Sequence, residues 1–211
     1  MIEGEPTWID PCFMQAYMAT ENMPFLEGLI EDVEFSTRWI PALTGSGEDT
    51  SQRDSDIIWF KTDNPPPRHE PVLHWAQETL NHYLKEQPWA TNGCPDFSAV
   101  EYSVLRYKKG QAYHAAHSDA APWANGEMAK RHLTQLIFLN DVDEGGELEF
   151  PIQDVSFIPR AGKCLIHPAG WTHTHRMKPT VDTKYALVIF YAFIPADPSS
   201  SIIYDSFVKG E

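Results

Sequence analysis

Between Glu101 and Ile194 the chain is divided into short stretches of β-branched, aromatic and aliphatic residues, each ended by turn chemistry. The stretches are Tyr102–Tyr107, Leu133–Asn140, Glu147–Phe150, Val155–Ile158, Lys163–His167, Trp171–Arg176 and Lys184–Ile194. Seven candidate strands so closely spaced are expected to close into a sandwich or barrel. Asp143-Glu144-Gly145-Gly146 and Pro159-Arg160-Ala161-Gly162 read as turns, because glycine accepts positive φ and proline presets it. Upstream of about residue 95 the pattern is helical. Pro71 followed by Leu73, Ala76, Leu80 and Leu84 predicts an amphipathic helix over 71–87. Residues 10–19 and 23–34 are weaker helix candidates, and Asp63-Asn64-Pro65-Pro66-Pro67 is a loop that neither element can continue through. The expected fold is mainly β with flanking N-terminal helices: a double-stranded β-helix of the jelly-roll, cupin-like kind.

At 211 residues this is one domain, with a helical support layer over about 1–95, the jelly roll over about 96–195 and a short tail over 196–211. Acidic residues outnumber basic ones and give a net charge of −14, so a nonspecific nucleic-acid binder is not expected. Cys12, Cys94 and Cys164 offer neither a disulfide framework nor a CxxC metal site. With an acidic N-terminus and no apolar run of membrane length, the expectation is a cytoplasmic protein without membrane attachment. Oligomeric state is left open.

Six of the nine histidines fall in the β-rich half: His114, His117, His132, His167, His173 and His175. His117 and Asp119 form a His-x-Asp pair, and positions i and i+2 of an extended segment project to one side. A further histidine from a distant strand, His173 or His175, would complete a facial two-His, one-carboxylate set that leaves about three positions open on an octahedral ion. That arrangement suits Fe(II).

Several motifs then occur in order: Tyr107-Lys108-Lys109-Gly110, His117-Ser118-Asp119, the run from Arg131 to Asp141, Gly145-Gly146 through Pro151, Pro159 through Lys163, His175, and Lys184-Tyr185. Over residues 101–194 the chain resembles the Fe(II)/2-oxoglutarate-dependent dioxygenases, specifically the prolyl-4-hydroxylase-like branch. The resemblance makes His117 and Asp119 iron ligands. It selects His175 as the third, because the family's distal histidine has Pro at +4 and a basic residue at +9 or +10, as His175 has in Pro179 and Lys184. His173 has Met177 and Asp182 there, and is left as a supporting group, an alternative ligand or a residue at the pocket mouth. The resemblance also gives Lys184 the distal carboxylate of 2-oxoglutarate. Tyr107, ten residues before His117, is either a cosubstrate contact or a core aromatic.

Arg131, nine residues before Asn140, matches a substrate-contacting arginine of some prolyl hydroxylases, though a solvated strand-edge ion pair fits it equally. Trp123, on a flap between Asp119 and Arg131, and Arg53, in the N-terminal layer, are the other substrate candidates. The chain departs from the family in two places. Ile137-Phe138-Leu139-Asn140 carries no tyrosine, and Tyr113 stands one residue further from His117 than in the common Tyr-x-x-His form, which leaves its role open. His167, His132, His114, His69, His74 and His82 are read as structural or solvent-facing. The Gly145-Gly146 turn is expected beside the site opening.

The implied activity is hydroxylation of an unactivated C–H bond, with Fe(II), 2-oxoglutarate and O2, and with room for ascorbate (vitamin C) as reductant. The substrate expected is a prolyl or other side chain of a peptide. A free amino acid or natural-product intermediate is the alternative, and a noncatalytic metal-containing jelly-roll binding module is the alternative from another class.

Overall fold

The structure is a computed structural model that describes residues 7–9, 12–19, 23–45, 47–92, 94, 97–121 and 127–194. In chain order the elements are β1 (Trp8–Ile9), β2 (Gln15–Met18), α1 (Pro24–Glu34), β3 (Ile40–Pro41), β4 (Arg53–Asp54), β5 (Asp56–Phe60) and α2 (Glu70–Glu86). There follow β6 (Phe97–Tyr107), β7 (Ala112–His117), β8 (Arg131–Phe138), β9 (Leu148–Phe150), β10 (Val155–Phe157), β11 (Lys163–Pro168), β12 (His175–Met177) and β13 (Lys184–Phe193). Among the described residues they form an eight-stranded sheet ordered β1-β2-β11-β8-β13-β6-β5-β3 and a five-stranded sheet ordered β10-β9-β12-β7-β4, with antiparallel pairing throughout.

The large sheet separates two apolar clusters, and the alternation along β13 shows how. Tyr185, Leu187, Ile189 and Tyr191 face one cluster with Leu26, Leu29 and Val33 of α1 and Val72, Trp75, Ala76, Leu80 and Tyr83 of α2. Ala186, Val188 and Phe190 face the other, where Leu148, Phe150 and Met177 come from the small sheet. Each helix begins with proline in its first turn and repeats apolar residues at three and four, so one stripe is buried. The strand buried on both faces is therefore apolar almost throughout.

The helix expected over 71–87 is α2, and the candidate over 23–34 is α1. The candidate over 10–19 is not a helix. Gln15–Met18 pairs with β11, and its side chains alternate, with Ala16 in the inner cluster and Tyr17 in the outer. The N-terminal region is also less purely helical than expected, because β5 joins β6 in the large sheet and β4 joins β7 in the small one. Trp171–Arg176 is not one strand: a 3-10 turn over Trp171–His173 precedes β12. The strand Ala112–His117 is an addition to the expected set.

Candidate metal and cosubstrate site

β7 ends on His117 and β12 begins on His175, and these two residues are cross-strand partners. Their ring centroids lie 4.4 Å apart. Asp119 sits between them, with Oδ1 3.8 Å from His117 Nε2 and Oδ2 3.7 Å from His175 Nε2. One ligand-type atom from each of the three falls within 4.8 Å of the others. His117 Nδ1 lies 3.2 Å from the Ala115 carbonyl and His175 Nδ1 3.0 Å from the His173 carbonyl. A carbonyl only accepts, so each Nδ1 carries the proton and each Nε2 presents a lone pair to the shared space. Two neutral imidazoles and a carboxylate are the donors of a facial site for an octahedral divalent ion.

The electrostatics favour a neutral His117 and an ionised Asp119. Burial, followed by the neighbouring His175, lowers the His117 pKa to about 3. Burial alone would raise the Asp119 carboxyl, but His175, His117 and His167 and the Thr134 hydrogen bond outweigh it and hold the group well below the usual carboxylate range.

Three further groups surround the cluster. Thr134 Oγ1 donates to Asp119 Oδ2 at 2.7 Å. The Tyr113 ring stacks on His117 with centroids 3.6 Å apart, because β7 carries four steps from Tyr113 to His117 where β12 has two from Met177 to His175. That bulge brings the two rings together. His167, on β11 opposite Thr134, is 1% exposed and packs edge-on against His175 at 5.1 Å. Its own pKa falls to about 3, chiefly through burial. Sequence reasoning treated His167 as an ordinary structural histidine; its place on the inward-facing alternation of β11, beside Leu165, was the signal.

Lys184 starts β13, opposite Tyr107 on β6. It is wholly buried, and its Nζ donates to the Gly146 carbonyl at 2.8 Å, touches Met177 Sδ at 3.3 Å and lies 4.3 Å above the Tyr107 ring. None of these contacts is an anion. Burial lowers the Lys184 pKa to about 7, and the charge of Glu147 opposes that shift without cancelling it. The surroundings of this ammonium are therefore chemically suited to a carboxylate. Gly145 and Gly146 have φ of 76° and 68°, and a Cβ on Gly145 would lie 2.3 Å from the Pro179 carbonyl oxygen. This turn lies against Lys184.

Arg131 does not form a solvated ion pair. Its side chain is 7% exposed, pairs with Glu101, donates from Nη1 to the Asp119 main-chain oxygen at 3.2 Å and lies 3.5 Å from the Phe190 ring centroid. Arg53 lies 4.7 Å over the Tyr113 ring and donates to the Leu43 carbonyl at 2.9 Å, which places it beside the cluster. His173 is on the 3-10 turn, not on a strand with His175. Its Nε2 meets the Cys12 carbonyl at 2.7 Å and its Nδ1 meets Thr172 Oγ1 at 3.0 Å. Trp123 lies outside the described residues.

Residues 102–192 match the family model of the 2OG-Fe(II) oxygenase superfamily. The match spans a little under half of the chain, and together with the His/Asp/His cluster and the buried lysine it supports a 2-oxoglutarate-dependent oxygenase whose chemistry uses Fe(II), 2-oxoglutarate and O2. Its fold is similar to that of solved prolyl hydroxylases. The viral collagen prolyl hydroxylase of Paramecium bursaria Chlorella virus-1 superposes with a TM-score of 0.64 at 19% identity, covering 88% of this chain and 100% of that one. A Pseudomonas putida prolyl-4-hydroxylase gives 0.67 at 16%, covering 88% and 95%. A Trichoplax adhaerens prolyl hydroxylase, in complex with a hypoxia inducible factor peptide fragment, gives 0.67 at 17%, covering 87% and 84%. No curated protein matches the chain in sequence. Among the described residues no helix is long and apolar enough to cross a membrane.

Proposed function

We propose that this enzyme hydroxylates a prolyl or other side chain of a peptide, with His117, Asp119 and His175 holding the iron and Lys184 holding the distal carboxylate of 2-oxoglutarate. The observation that carries the cosubstrate assignment is Lys184, a buried cation whose direct contacts are a carbonyl oxygen, a thioether and a phenol ring rather than a carboxylate. When bound, iron and 2-oxoglutarate supply the oxidation: dioxygen is split, one oxygen atom converts 2-oxoglutarate to succinate and CO2, and the other is inserted into a substrate C–H bond. The protein's part is placement. Lys184, whose ammonium lies over the Tyr107 ring, would hold the far carboxylate of the cosubstrate, and Thr134 orients the Asp119 carboxylate. Phe150 and Tyr113 cover the imidazoles, a dry surrounding for a reactive centre.

The peptide reading is supported by the fold shared with solved prolyl hydroxylases, one of which is in complex with a peptide fragment. The jelly-roll arrangement of the two sheets and a single-domain organisation over 1–211, with a support layer over about 1–95, belong to the same reading.

The test is anaerobic titration of the metal-free protein with Fe(II) and 2-oxoglutarate, followed by oxygenation, with ascorbate present, against peptide and amino-acid libraries. Gain of one oxygen atom by proline-containing peptides is expected. Oxygenation of free amino acids alone would favour the small-molecule alternative. Failure to bind 2-oxoglutarate would leave only a metal-binding module.

A further inference from the structure

Asp119 is the member of the cluster that no strand carries, since β7 ends at His117 and Ser118–Ala121 runs on outside regular structure. Its position is set by β8 at two points. Thr134 Oγ1 holds the carboxylate at Oδ2, and Arg131 Nη1 holds the main-chain oxygen at 3.2 Å. Gripping a residue by both its carbonyl and its carboxylate leaves little rotation about the bonds between them. Arg131 is itself immobilised. Its Nε donates to Glu101 Oε1 at 3.0 Å, its Nη2 bonds to the same oxygen, and its guanidinium lies flat enough on Phe190 to sit 3.5 Å from the ring centroid. Each guanidinium nitrogen is thus engaged within the protein, and three of the five N–H donors are spent there. The side chain is 7% exposed, so little of the group is left for a substrate to reach.

We propose that Arg131 is a positioning residue of the metal site, acting through the Asp119 main chain with Glu101 as its counter-charge, and not a substrate contact. The proposal rests on the reading of Asp119 as a metal ligand. Groups that orient metal ligands typically contribute ten- to a hundredfold to metal affinity. Lysine cannot replace the arginine, because one ammonium cannot span Glu101 and the Asp119 carbonyl in the geometry of a planar fork.

The experiment measures Mn(II) binding to the metal-free, full-length protein by the paramagnetic resonance of the free ion, with hydrogen–deuterium exchange of residues 118–121 as a second readout. The Ala120 and Ala121 amides are bonded to the Ala169 and Met128 carbonyls, so protection is there to be lost. Arg131→Met keeps an apolar stem on Phe190 and is expected to weaken Mn(II) by about ten- to a hundredfold and to accelerate exchange in 118–121. Arg131→Lys and Glu101→Gln are expected to lose less, in that order. Wild-type Mn(II) affinity and exchange in Arg131→Met overturn the proposal, as does an effect confined to the KM for a peptide. Should Arg131→Met fail to fold, wild-type behaviour in both other variants overturns it equally. Asp119→Ala separates the two levels: if it binds Mn(II) as the wild type does, the ligand reading has failed. If it loses Mn(II) while the Arg131 and Glu101 variants do not, only the positioning role has failed.

Discussion

Tyr107 and Lys184 face each other across β6 and β13, and the lysine ammonium lies over the phenol ring at 4.3 Å. A ring quadrupole attracts a cation but does not neutralise it, so the site retains a demand for negative charge.

That demand has a pH signature. In the folded, ligand-free protein the Lys184 pKa is lowered to about 7 from 10.5, chiefly by burial, with Glu147 the acid that opposes the shift. The unfolded chain therefore holds a proton that the folded one lacks between these values, and stability rises with pH across that window. A bound dicarboxylate restores the ammonium. Binding of 2-oxoglutarate is expected to take up a proton above about pH 7 and to weaken as pH rises further. Calorimetry in buffers of different ionisation enthalpy measures the uptake, and its absence in the wild type would contradict the assignment. Lys184→Met should abolish the uptake and weaken 2-oxoglutarate by about 2 to 5 kcal/mol while Mn(II) binding changes little.

His117→Ala, Asp119→Ala and His175→Ala should each abolish succinate formation and Mn(II) binding. His173→Ala should retain both, since its ring nitrogens serve Cys12 and Thr172. Its loss is expected to appear as about 1 kcal/mol of stability, read from the urea midpoint. Loss of Mn(II) in His173→Ala with retention in His175→Ala would reverse the ligand choice.

The metal-free protein should be weakened by mild acid. His117 and His167 have pKa values lowered to about 3, and the fully buried His69, bonded to Tyr102, is lowered as well, each chiefly by burial. Their folded values lie below the unfolded one, so their stabilising neutral forms are fully favoured above about pH 6.5. The contribution is lost as pH falls below it. The slope is up to about 1.4 kcal/mol per pH unit for each histidine. Urea midpoints between pH 8 and 5 measure it, and Mn(II) should lift the whole curve. A flat profile would mean these rings are accessible.

Gly145→Ala would set a Cβ 2.3 Å from the Pro179 carbonyl oxygen at positive φ, and should destabilise by more than about 1 kcal/mol. Gly146→Ala, also at positive φ, meets Thr180 Oγ1 at 3.2 Å and the Lys184 side chain at 3.3 Å, so to its loss of stability it should add a loss of 2-oxoglutarate affinity that Gly145→Ala lacks. Equal effects of the two variants on stability and on affinity would show that the turn does not discriminate between these roles.

The parts of the molecule legible in the sequence are those whose signal is local. α2 follows from Pro71 and the spacing of Leu73, Ala76 and Leu80, and the His117-Ser118-Asp119 pair is local, whereas spacing alone leaves His173 and His175 open and only the family resemblance favours His175, the histidine that clusters with the pair. β7 was not legible because Ala112–His117 offers alanines and histidines in place of β-branched residues. β2 was misread because four residues are too short to distinguish a strand from a helical turn. The pairing of Arg131 with Glu101 spans thirty residues, and nothing near either position announces the other. Long-range partners of this kind are set by sheet register, which single-sequence patterns do not encode.

β8 has two sides with different clients. Thr134 points inward to Asp119, while its neighbour Gln135 points outward, where its Nε2 donates to the Ala76 carbonyl at 3.1 Å and to Thr79 Oγ1 at 2.6 Å on α2. The anchorage of the helix and that of the carboxylate are one peptide bond apart. A substitution in α2 that tilts Gln135 therefore reaches Asp119 without crossing the pocket, and the apparently remote helical surface cannot diversify independently of the chemistry on the other side of the sheet.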